Sequence, residues 1–276
     1  MLSGYSDYGI CEQAIDHPNK DLVKLANSIN YDEIGQHNQY VAINLQTVAP
    51  GCNSNDKYSV KIERYTKDTF SEFPAGLARL FTSNCNINHD RVAWLPFGLG
   101  VADFQDKEGP AKDLILRYRN FPKTDLLYVN FANHTYQRNN LNSYYSQLVY
   151  QLKHPWLTWT VGTSQENYFQ EMSCHEFCLC PFGNGLDSYR IWECLYCGVI
   201  PIIQDCVFSQ NLTAAGLPIY IVPNLFELTE TSLLKVYSNM MTQTFNLNAL
   251  RLSWWREQIC DAVAKLEHQD GGCLPG

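Results

Sequence analysis

Residues 177–203, FCLCPFGNGLDSYRIWECLYCGVIPII, constrain the fold more than any other stretch of the chain. The apolar run that opens it stops at Pro181 and reads as a strand buried on both faces. Gly183-Asn184-Gly185 then lets the backbone turn with positive φ and lets a ligand come close, because no Cβ intervenes. Asp187 or Ser188 offers an N-cap for the helix that follows. Gly198 suits the C′ position at its end, and a second apolar run, 199–203, begins at once. Strand, glycine loop, helix and strand in this order make one βαβ unit. Its loop lies at the carboxyl edge of a parallel sheet, where open α/β sheets bind ligands.

Similar alternation runs along most of the chain and predicts an α/β protein. A helix is expected over 18–29, with Leu22, Leu25, Ala26 and Ile29 on one face, then strands over 40–45 and 58–62. A helix over 75–81 and a strand over 91–95 complete the N-terminal half. The charged stretch QDKEGPAKD, with Gly109, Pro110 and then Pro122, reads as a linker over 109–124. Beyond it come strand 126–131, helix 141–152, strand 157–161 and helix 167–172. Strand 177–180, helix 188–197, strands 199–203 and 219–222 and a final helix over 250–266 follow. The pattern implies two Rossmann-like domains facing across a cleft: 1–108, and 125–250 after the linker. Residues 251–276 form a last helix that returns toward the first domain, with Trp254 and Trp255 at that contact. Pro-Phe-Gly-x-Gly occurs after a strand in each half, at 96–100 and 181–185.

A net charge of −8, with 20 scattered basic residues, excludes nucleic acid as a natural partner. No window reaches the roughly 18 apolar residues of a bilayer span, and MLSGYSDYG lacks the marks of a signal peptide. The expectation is a soluble, cytoplasmic chain. Its 11 cysteines read as small buried hydrophobes in a reducing compartment. Cys194-x-x-Cys197 could give two zinc ligands, but no second such pair exists, so no metal site is expected.

The chemistry concentrates where the glycine loop meets its helix. A helix N-terminus attracts phosphate through unpaired N–H groups and partial positive charge. Gly183, Asn184, Gly185, Asp187, Ser188 and Tyr189 form that approach, and Ser188 adds a hydroxyl. Arg190 in the first turn can fork onto diphosphate oxygens. One turn on, Glu193 can accept from the two hydroxyls of a ribose. The bland alternative is a solvated Arg190–Glu193 ion pair beside a turn. The residues alone point to an anion or nucleotide site.

Phe177, Cys178, Leu179, Pro181, Gly183, Gly185, Asp187, Ser188, Arg190, Trp192, Glu193, Leu195, Gly198, Ile200, Pro201 and Ile203 together resemble the signature of exostosin-like glycosyltransferases. The resemblance implies a GT-B fold and an inverting transfer from a UDP-sugar to a glycan hydroxyl. It calls for no cofactor beyond that donor. LLYVNFA at 126–132 resembles the family's first C-terminal-domain strand, which implies a phosphate-side role for Arg138. RVAWLPFG at 91–98 resembles the strand closing the N-terminal domain. In its short length the chain is similar to family members carried by chloroviruses, which implies xylose transfer, with fucose of a viral capsid glycan as one acceptor. The chain has no Asp-x-Asp, so a metal-independent reaction is expected. The base should come from the N-terminal half, with Glu72, Asp68 and Asp7 as candidates. A nucleotide- or glycan-binding module that has lost catalysis is the alternative.

Overall fold

The computed structural model describes residues 40–44, 77–86, 88–96, 98–99, 111–131, 154–183 and 185–270. The expected helices 18–29 and 141–152 and strand 58–62 lie outside them. The described residues form two parallel sheets. The first has three strands, β1 (Tyr40–Asn44), β2 (Leu77–Thr82) and β3 (Val92–Trp94), in that order. The second holds β4 (Asp125–Val129), β5 (Leu157–Trp159), β6 (His175–Leu179), β7 (Ile200–Gln204) and β8 (Tyr220–Val222) in the order β5-β4-β6-β7-β8.

A parallel sheet must be covered on both faces, and period-two alternation assigns the faces here. Leu127, Val129, Phe177, Leu179, Ile200 and Ile202 point to one cluster, closed by Leu233, Tyr237 and Met240 of helix α5 (Glu230–Met240). Tyr128, Cys178, Cys180 and Ile203 point to the other. There they meet helices α1 (Ala111–Tyr118), α2 (Gln165–Ser173), α3 (Tyr189–Tyr196), α4 (Val207–Ala214) and α6 (Leu252–Asp270). Phe81 of β2 and Leu95 just past β3 belong to the same cluster, so the first sheet shares this core.

Trp94 of β3 joins these layers. Its ring stacks 6.2 Å from Trp192 of α3 and lies edge-on 4.8 Å from Trp255 of α6. Trp255 is buried and donates its indole N–H to the Ala249 carbonyl at 2.9 Å; Trp254 is half-buried against it.

Three local expectations change. Residues 77–82 form a strand where a helix over 75–81 was expected: β2 pairs with β1 on one side and β3 on the other. That central pairing overrides the helical preference of Leu, Ala and Arg. Residues 111–118, expected to be linker, form α1. Ala111, Leu114, Ile115 and Tyr118 share one face at helical spacing, and Leu114 and Ile115 are fully buried. Helices α4 and α5 were not anticipated. Among the described residues, no helix is long and apolar enough to cross a membrane.

All eight described cysteines are free thiols, five of them buried. Cys178, Cys180 and Cys194 gather on one side of β6, their sulfurs within 4.8 Å of one another. The close thiols are therefore not the Cys194–Cys197 pair singled out in the sequence. They arise because residues 178 and 180 share one strand face and α3 lays Cys194 over it. Burial pushes the Cys197 thiol up to about 12 from an ordinary 9.0. Between those values the unfolded chain ionises this thiol and the folded chain does not. The stabilisation is thus complete below pH 9 and declines above it, by about 1.4 kcal/mol per pH unit. Urea unfolding of the wild type and Cys197→Ala between pH 9 and 11 should show the difference between them shrinking at that slope. Parallel curves would contradict it.

Candidate functional site

β6 lies between β4 and β7. From β4 the chain moves outward to β5, then returns across β4 to β6. The boundary between β4 and β6 is therefore the topological switch point of this sheet, the crevice where such sheets bind ligands. The glycine loop leaves β6 at that point. The neighbouring exits are tied by side chains: Asn130 just past β4 donates to Thr160 and Thr163 past β5, at 3.1 and 3.2 Å.

Within the loop, the Gly183 N–H donates to the Gly185 carbonyl at 3.0 Å. Helix α3 then begins, with Ser188 in extended backbone at the N-cap position. Neither expected capping side chain caps the helix. The Asp187 carboxylate instead accepts from the Trp192 indole N–H at 2.7 Å, and the Ser188 hydroxyl is buried with no hydrogen-bond partner. Gly198 does occupy the left-handed region at the helix end, with φ 64°.

The role of Gly185 differs from the expectation too. Among the described glycines, positive φ occurs at Gly98, Gly162, Gly198 and Gly216, and not in the loop. A Cβ at Gly185 would lie 2.3 Å from the Asn84 side-chain oxygen. Close approach by a protein side chain, not backbone handedness, requires glycine here.

Arg190 stands in the first turn of α3. Its Nε is buried without a hydrogen-bond partner, and the guanidinium carbon lies 5.8 Å from the Tyr168 ring centre, a cation–π contact. Burial opposes its charge, but acidic groups around it, Glu193 among them, hold its pKa above the ordinary arginine value, and a guanidinium stays charged in such a setting. Glu193 is 6% exposed and accepts from the Tyr168 hydroxyl at 2.8 Å. Burial raises its pKa, opposed by Arg190 and the tyrosine hydrogen bond. A solvated surface pair is therefore not what Arg190 and Glu193 form: both face the Tyr168 side chain.

The structure thus places Gly183, Gly185, Asp187, Ser188, Tyr189, Arg190 and Glu193 along one loop and the helix it starts. Asn184, Arg138, Glu72, Asp68 and Asp7 lie outside the described residues. Two contributors were missed. Tyr168 sits on α2 and could be found only from its contacts. Asn84, past the end of β2, is 7% exposed and left-handed at φ 54°. Its Oδ1 accepts from the Asp187 N–H at 2.9 Å, and its Nδ2 is buried without a partner. The turn-prone TSNCN run after β2 hints at a left-handed residue, but nothing in it points to position 187.

Three polar atoms in this region are buried without a partner: Asn84 Nδ2, whose amide lies against Gly185 of the glycine loop, and Ser188 Oγ and Arg190 Nε at the start of α3. Leaving a buried group unpaired costs about 1–3 kcal/mol, a cost that a ligand with several acceptors would offset. No curated protein matches the chain. Residues 118–225, less than half of the chain, match the family model described as RXYLT1 C-terminal domain. The matched segment runs from the end of α1 through β8, contains the whole glycine loop and α3, and supports the exostosin-like family for this part of the chain.

Proposed function

We propose that the chain is a glycosyltransferase whose donor is a UDP-sugar, bound with its diphosphate at the start of α3. The observation that carries this reading is the trio of unpaired buried polar groups at a sheet switch point. The family match over 118–225 supports it. Arg190, the Ser188 hydroxyl and the positive end of the helix dipole stabilise the departing diphosphate as its charge develops. Glu193, oriented by Tyr168, accepts from the ribose. The chain has no Asp-x-Asp, so this charge falls to Arg190 and the helix, and the transfer is metal-independent.

The acceptor side belongs to the N-terminal part, in a GT-B arrangement of two Rossmann-like units across a cleft. There a carboxylate, Glu72, Asp68 or Asp7, deprotonates the attacking hydroxyl, and the anomeric centre inverts. Arg138 adds a second cation at the phosphates. Xylose is the proposed sugar and a glycan hydroxyl the acceptor, fucose of a viral capsid glycan among the candidates.

The test pairs binding with turnover. UDP at 100 times its Kd should stabilise the protein by about 2.7 kcal/mol, and NADH should not. UDP release should then be followed from UDP-xylose, UDP-glucose, UDP-glucuronate, UDP-galactose and, for GDP, from GDP-fucose. Release from a UDP-sugar supports the proposal. Protection without turnover from any donor leaves a binding module, and failure of UDP to protect removes the donor assignment.

A further inference from the structure

Asn84 has more to do than a turn residue requires. It comes from the first sheet, yet its side chain lies against the loop of the second, so closely that a Cβ on Gly185 would sit 2.3 Å from Oδ1 and 3.1 Å from Nδ2. Which amide end is which is fixed by chemistry: the Asp187 N–H can only donate, so the atom receiving it at 2.9 Å is the oxygen. The nitrogen is then the buried end with no partner. The backbone is left-handed at φ 54°, a conformation that asparagine tolerates better than most residues. A loop lock needs only the oxygen; it gives no reason to bury a two-proton donor unpaired against the glycine loop that leads into α3.

We propose that Asn84 is a ligand of the donor anion contributed by the first sheet, with Oδ1 holding the glycine loop and Nδ2 donating to a diphosphate oxygen. This rests on the donor reading given above. It makes the contact between the two sheets part of the binding site.

Asn84→Asp is nearly isosteric. It keeps the oxygen that accepts from Asp187 and replaces the donor with an anionic oxygen facing the phosphates. Asn84→Gly keeps the left-handed backbone and removes both amide ends. Affinities for UDP and for uridine, which lacks the phosphates, would be measured by calorimetry and ligand-observed NMR. A hydrogen bond to a charged group corresponds to about 10- to 100-fold in affinity. UDP binding should fall by about that factor in both variants, and at least as far in the aspartate as in the glycine, with uridine binding unchanged. Should the aspartate variant not fold, the glycine variant decides alone by the same ratio. UDP affinity equal to wild type, or equal losses for UDP and uridine, would reduce Asn84 to a structural lock while leaving the donor reading intact. A wild-type protein that binds no UDP would instead overturn the donor reading itself.

Discussion

Replacing Arg190 with alanine should lower affinity for UDP by about 100-fold or more, the largest effect on binding expected of any single change. A hydrogen bond to a charged partner contributes about 1.5–3 kcal/mol, and a guanidinium can make two in parallel to neighbouring phosphate oxygens. The side chain is already committed: its Nε is buried without a partner and its charge rests over Tyr168. Little ordering entropy is then lost on binding. Arg190→Lys should recover only part of the affinity, because an ammonium keeps the charge and loses the planar fork. Calorimetric titration of UDP into the three proteins gives the order wild type, lysine, alanine. Alanine and wild type binding alike would remove Arg190 from the site.

The largest effect on stability is expected from Trp192→Ala. Trp192 is 1% exposed, stacks on Trp94 of the first sheet and donates to the Asp187 carboxylate. Removing a buried indole costs about 3–5 kcal/mol. Here the loss also removes the indole donor to the buried Asp187 carboxylate and unseats the residue just before the helix N-cap. Trp192→Phe keeps most of the packing and loses the hydrogen bond, so it should cost about 1–3 kcal/mol. Urea unfolding of the two variants separates packing from polar terms. A Trp192→Ala protein within 1 kcal/mol of wild type would show that α3 is held by other contacts.

How much of this was legible in the sequence depends on the scale of the signal. The βαβ unit at 177–203 was, because Pro181, the glycines, Gly198 and two apolar runs all agree locally; the observed β6, α3 and β7 differ only at their ends. β2 was not, since Leu77-Ala78-Arg79-Leu80 carries no period-two alternation and becomes a strand only through neighbours distant in the chain. Helix α1 was hidden by the Gly109-Pro110 turn and the charges around it, although its 111, 114, 115, 118 spacing is helical. At the site, Ser188 and Arg190 could be named from local chemistry. What Asp187 does could not, because its side chain serves Trp192 and its N–H serves Asn84, 103 residues earlier. The same contact explains why Gly185 is glycine, which the sequence alone attributes to turn geometry and to the close approach of a ligand.

Whether the start of α3 receives a nucleotide diphosphate is decided by a crystal structure of the protein with UDP. Phosphate oxygens should lie within hydrogen-bond distance of Ser188 Oγ and the Arg190 guanidinium, with the ribose toward Glu193. UDP bound elsewhere, with those groups untouched, would contradict this placement.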